Sequence, residues 1–194
     1  MKDPEVGHLY VFIDENQALY KRHGNLPVDD EPFYLTANCR NTAPIHRAAY
    51  KFYQGEPVDA PDLTGPDVEK VAKDSDVAQA EYIAQRLHQL ISREQLKPAD
   101  IAVLVAKREK WTHYAALRRA AANMGGPRLS FEEHGKSNAV LVETVARFKG
   151  LESAAVILWI GDEVVENQEW ETVYVGISRA KSLLIVVGSS AARF

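Results

Sequence analysis

Two runs of consecutive apolar residues, Ile101 to Ala106 and Ala155 to Ile160, constrain this chain more than any other feature. A strand with one wet face alternates apolar and polar residues. These runs do not alternate, so both of their faces must be covered, as in a parallel sheet with helices packed on each side. The intervening segments supply the helices. From Ser75 to about Glu94 the set Val77, Ala80, Ile83, Ala84, Leu87, Leu90 and Ile91 recurs at three and four residues, an amphipathic stripe that stops before Pro98. Trp111 to about Met124 predicts a second helix, halted by Gly125, Gly126 and Pro127, and Asn167 to Ala180 predicts a third.

Leu9 to Ile13, Phe33 to Ala37, Ala139 to Val142 and Leu183 to Val187 read as further strands. Asn41 or Thr42 can cap a helix running to about Gln54, with Pro44 in its first turn. The expected fold is an open α/β sheet with helices on both faces. No apolar stretch approaches a bilayer span and Met1 to Tyr10 has no apolar signal core, so no membrane role is expected and the location predicted is the cytoplasm. The single Cys39 excludes an internal disulfide framework and a multi-cysteine zinc site. With 23 Lys+Arg against 27 Asp+Glu, the net charge of −4 excludes bulk positive attraction to nucleic acid and leaves room for a local groove.

A phosphate loop is the natural thing to seek in such a fold, and Gly135, Lys136 and Ser137 match the end of one. The match fails: Ser130 stands where the first glycine is needed, and the strand-like Ala139 to Val142 follows where a helix N-terminus is required. A tight polar turn between two strands accounts for it better. The acidic Asp29, Asp30 and Glu31 lack the spacing of an oxygen-ligand loop and read as loop solvation. Lys107, Arg108, Glu109 and Lys110, with His113, Arg118 and Arg119, read as a solvated face, with a nucleic-acid groove as the lesser alternative. Tyr174 and Ile177, three apart, read as core.

Four segments occur in order: Phe12-Ile13-Asp14-Glu15-Asn16-Gln17-Ala18-Leu19-Tyr20, Leu35-Thr36-Ala37-Asn38-Cys39-Arg40-Asn41-Thr42, Thr144-Val145-Ala146-Arg147-Phe148-Lys149-Gly150-Leu151-Glu152, and Val173-Tyr174-Val175-Gly176-Ile177-Ser178-Arg179-Ala180. They resemble motifs III, IV, V and VI of superfamily 1 helicases of the UvrD/Rep type. The resemblance implies the C-terminal RecA-like motor domain, a P-loop NTPase-like fold lacking its own P-loop. It also implies a compact member without the 2B insertion, since only Lys107 to Glu143 lies between the Ile101 strand and motif V.

The same resemblance implies roles. Arg40 and Arg179 would face the γ-phosphate of ATP as arginine fingers, a task that suits a planar, permanent charge. Gln17 would sense that phosphate or position water. Lys149, Gly150, Glu152 and Asn38 would belong to the nucleotide cleft, with Glu152 on the ribose, while Mg2+ and the triphosphate would be held mainly by a first motor domain. Thr144, Tyr20, Arg22 and Arg147 would contact single-stranded or partly duplex DNA. Three base- or DNA-facing positions depart from the family pattern: Cys39 and Arg22 replace aromatics, and Ala146 replaces a histidine.

Motifs I, Ia and II have no counterpart, so the chain is expected to be a fragment. Residues 1–24 would be the trailing edge of the first motor domain and 25–194 the second, with the N-terminal motor domain of the same polypeptide as partner. Arg40, Lys149, Glu152 and Arg179 are expected on one rim at the carboxyl ends of the strands, and either arginine should be replaceable without loss of the fold. The alternatives are a non-catalytic helicase-fold binding module, or the motor segment of a larger nuclease-fused enzyme.

Overall fold

The computed structural model describes residues 9–11, 31, 33–106, 110–131 and 138–189. Within them, helix α1 (Ala43–Tyr50) is followed by β1 (Glu69–Ala72), α2 (Asp76–Ser92), β2 (Ile101–Ala106), α3 (Trp111–Asn123), β3 (Leu129–Ser130), β4 (Val140–Thr144), β5 (Ser153–Ile160), α4 (Asp162–Glu166), α5 (Trp170–Ser178) and β6 (Ala180–Gly188). The strands form one sheet in the order β1-β6-β5-β2-β4-β3. Every pairing is parallel.

The two unalternating runs are the central strands β2 and β5, which pair from Ile101 with Ala155 to Ala106 with Ile160. Their side chains divide between two cores by the period of two that any strand imposes. Ile101, Val103, Val105, Ile157 and Trp159 pack with α2 and α3 on one face. Ala102, Leu104, Val156, Leu158 and Ile160 pack with α1, α4 and α5 on the other. Six of six residues of β2 are buried, which is why its sequence has no polar beat. The expected parallel α/β sandwich is therefore what forms. Among the described residues no helix is long and apolar enough to cross a membrane.

Four local expectations change. Phe33, Tyr34 and Leu35 form no strand and are exposed, and only Ala37 makes an isolated parallel bridge, to Asp59. The pattern of apolar residues there is right for a strand, but the sheet edge beyond β6 is taken by β1, whose Glu-Lys-Val-Ala sequence carries little strand signal. Val77, assigned to the apolar stripe of α2, is 61% exposed because it lies in the first turn, beyond the reach of the sheet. The helix foreseen over Asn167 to Ala180 is the shorter α5, preceded by the separate α4, with Gln168 between them in the left-handed region. Finally, Leu9, Tyr10 and Val11 form no strand and are exposed; Phe12 and Ile13 lie outside the described residues, as do residues 132–137 with the polar turn expected at Gly135 to Ser137.

The second core depends on a close approach of α5 to the sheet. A methyl group at Gly176 would stand 2.5 Å from Leu158 Cδ1 and 3.2 Å from Val145 Cγ2. Gly176→Ala is expected to overpack this layer and lower stability by about 1–3 kcal/mol, read as a lower urea midpoint at unchanged slope.

Candidate functional site

In a parallel sheet, a residue just before a strand sits at the amino edge and a residue just after one sits at the carboxyl edge. Glu152 precedes β5 and Arg179 precedes β6, so both belong to the amino edge. Asn41 brings a third segment to them. Its side chain, 4% exposed, donates to Ser178 O at 3.2 Å and Ala180 O at 2.5 Å, straddling Arg179. Thr42 N adds a bond to Lys181 O at 3.1 Å. The residue before Asn41 is Arg40, and its Nε lies 3.5 Å from Glu152 Oε2.

The turn that presents Arg40 is built by Asn38. Its Oδ1 accepts from the Arg40 and Asn41 backbone amides at 2.9 and 3.3 Å. Its amide nitrogen meets Asn41 Oδ1 at 3.0 Å and His46 Nδ1 at 2.9 Å. An amide nitrogen can only donate, so His46 Nδ1 is the acceptor and must be unprotonated. Burial, with the neighbouring Arg47 charge second, lowers the His46 pKa and favours that state.

The two arginines differ in environment. Arg40 has a side chain 46% exposed, paired only loosely with Glu152. Arg179 is 3% exposed, and its guanidinium and Nε donate to Val175 O, Leu151 O and Ser178 Oγ at 3.2, 3.3 and 3.0 Å. Glu152 also accepts from Lys181 Nζ at 2.9 Å, and that bond, with the surrounding cations, lowers its pKa despite slight burial.

The opposite, carboxyl edge holds a second cluster. Thr144 ends β4, and its hydroxyl accepts from Arg147 N at 3.3 Å. The buried Glu143 carboxylate beside it accepts from Tyr114 OH at 3.0 Å and Thr144 N at 2.9 Å, with Arg147 Nε 3.3 Å away. Residues 144 to 152 therefore cross the whole sheet from one edge to the other.

Comparison with known proteins fits this arrangement. Residues 139–187, which include that crossing and all of α5, match the family model of the UvrD-like helicase C-terminal domain. The C-terminal domain of a possible DNA helicase from Lactobacillus plantarum WCFS1 has a similar structure, with a TM-score of 0.62 at 20% identity, over 79% of this chain and 92% of that one. No curated protein sequence matches the chain. This chain and the Lactobacillus plantarum domain share one fold.

In this RecA-like fold Asn38, Arg40, Glu152 and Arg179 come together at one edge, from three segments of sequence. That edge is the amino edge, a correction to the expectation of the carboxyl edge. The carboxyl-edge rule describes sheets that hold their own ligand in a crevice, whereas here Glu152 and Arg179 precede strands and Arg40 is held beside Glu152 from the loop before α1. Lys149 and Gly150 lie exposed on the crossing, with Gly150 at φ +88°. Thr144 and Arg147 sit at the other edge, and Gln17, Tyr20 and Arg22 lie outside the described residues. Burial of Arg179 argues against the expectation that it can be removed without consequence for the fold. His113, grouped above with surface cations, is fully buried against Trp159 at 4.4 Å between ring centroids. Tyr174 and Ile177 do join the core.

Asn41, His46, Lys181 and Glu143 matter to these edges and were not singled out from sequence. Asn41 was visible only as a helix cap, and nothing local says that its amide reaches residues 137 and 139 positions away.

Because the folded state holds His46 neutral, its pKa is below the ordinary value of about 6.5. Its contribution to stability is full above that value and is lost as pH falls through the folded pKa. Acidification is therefore expected to destabilise the wild-type chain more than His46→Gln, measured as urea midpoints across that range.

Proposed function

We propose that this chain is the second motor half of an ATP-driven superfamily 1 helicase or translocase, with its amino edge turned toward ATP held by a first motor domain. The observation that carries this reading is the convergence of Arg40, Asn38, Glu152 and Arg179 at one edge, with the Arg40 guanidinium exposed there. Phosphoryl transfer spreads charge over the terminal phosphate oxygens, and a rigid guanidinium placed against them stabilises that charge without reorganising. Arg40 is suited to this. Its ion pair with Glu152 is solvent-exposed and so holds it weakly; a triphosphate carries more charge and would displace the carboxylate, freeing Glu152 to accept a ribose hydroxyl. Arg179 would shape the edge through Leu151 O and reach the phosphate only by giving up some of its carbonyl bonds.

The triphosphate and Mg2+ would be held elsewhere. Ser130, where a phosphate loop needs its first glycine, is buried in β3. DNA, single-stranded or partly duplex, would run along the carboxyl edge at Thr144 and Arg147. The rival reading, a non-catalytic helicase-fold module, draws support from the engagement of Arg179 with backbone carbonyls.

The chain alone is expected to show no micromolar binding of a non-hydrolysable ATP analogue by calorimetry, since half a site must overcome the association entropy without the cradle. Joined to its first motor domain, Arg40→Ala should lower DNA-stimulated phosphate release by about 10³- to 10⁵-fold with an unchanged unfolding temperature. Arg40→Lys should restore little, lacking the planar fork. Arg179→Ala should lower the unfolding temperature as well. Near-normal turnover in Arg40→Ala would make Arg40 a structural residue, and no DNA-stimulated turnover in the joined wild-type protein would favour the binding module.

A further inference from the structure

The buried carboxylate of Glu143, 1% exposed, draws two cations to the carboxyl edge: Arg147 Nε at 3.3 Å and Lys110 Nζ at 3.8 Å. One would neutralise it. Two leave an excess of positive charge, and the Arg147 side chain is 57% exposed. Lys110 Nζ also lies 5.1 Å over the ring of Trp111, which is 69% exposed at the start of α3. Behind Trp111 the aromatic row continues inward, to Tyr114 at 6.1 Å and then Phe131 at 4.9 Å, with the Arg118 guanidinium 4.7 Å over Phe131. A chain of net charge −4 thus carries a local cationic patch around an outward, rigidly backed indole.

Single exposed aromatics are ordinary on protein surfaces. This one differs in being flanked by ordered cations on a carboxylate anchor, beside the Thr144 strand end. Cations spaced around an exposed aromatic face match the chemistry of a single nucleic-acid strand, whose phosphates and unpaired base faces are both accessible. A duplex hides those faces in its own stack. We propose that Lys110, Trp111 and Arg147 form a single-strand contact in which Trp111 stacks on a base while Arg147 and Lys110 bind flanking phosphates. This rests on the reading that the domain works on DNA, and adds to it a base-stacking platform on α3.

The test is binding of the full chain to labelled oligothymidine at low salt, by anisotropy. Trp111→Ala should weaken binding about fivefold or more, the range for loss of one stacked base. Lys110→Ala and Arg147→Ala should each reduce the slope of log affinity against log salt by about 0.7, one phosphate contact on a single strand. Arg93→Ala, which removes an exposed charge just after α2 at the amino edge, should change neither. Inorganic polyphosphate, which has no bases, should respond to the two cation variants and not to Trp111→Ala. Affinity for oligothymidine that survives Trp111→Ala within about twofold, equal affinity for a duplex of the same length, or no binding at all would overturn the platform. If the Trp111-dependent binding is found but the joined protein hydrolyses ATP independently of DNA, the platform stands and the motor reading fails.

Discussion

The amino edge depends on one buried amide. Asn41 reaches from the loop before α1 to the carbonyls of Ser178 and Ala180, and so seats Arg40 beside the α5–β6 junction that carries Arg179. Both carbonyls flank a buried guanidinium, where an acceptor without a donor costs about 1–3 kcal/mol. Asn38 then fixes the backbone of Arg40 from the other side, and His46 fixes Asn38 by remaining neutral. The exposed arginine is therefore presented by a chain of polar contacts whose members are themselves buried or half-buried. Preorganisation of this kind is what an electrostatic site needs, because the donor must already point where charge develops.

The crossing from Thr144 to Glu152 joins the two edges of the sheet. Its first residue is tied to the carboxyl-edge cluster around Glu143, and its last pairs with Arg40 at the amino edge. Phe148 anchors the middle of the crossing in the second core, and Val145 lies in the layer that Gly176 keeps open. Val145 and Phe148 thus tie the crossing between the two edges to the packed second core.

Much of this fold is legible in the sequence, for a physical reason. Central strands buried on both faces must be apolar throughout, so Ile101 to Ala106 announces both its own conformation and the presence of helices on each side. The edge strands β1 and β3 are short and carry little such pressure, and they went unseen. Phe33 to Leu35 shows the converse: strand-like residues form no strand where no partner edge is available. Site residues were legible as types and order, not as places. Arg40 and Arg179 look alike in sequence, yet one is exposed and the other is held by backbone carbonyls, a difference created by contacts with Asn41, Leu151 and Val175 that no local pattern encodes. The assignment of the edge failed because a rule about ligand-holding sheets was applied to Glu152 and Arg179, which precede strands, and to Arg40, which is held beside Glu152 from the loop before α1.

The central claim is that Arg40 leaves Glu152 for the terminal phosphate of a nucleotide held by another domain. A crystal structure of the chain joined to its first motor domain, with ADP and aluminium fluoride in the phosphate site, tests it most directly. The account predicts the Arg40 guanidinium hydrogen-bonded to the fluoride atoms and the Arg40–Glu152 pair broken. An Arg40 still paired with Glu152, or a nucleotide seated against the carboxyl edge, would contradict it.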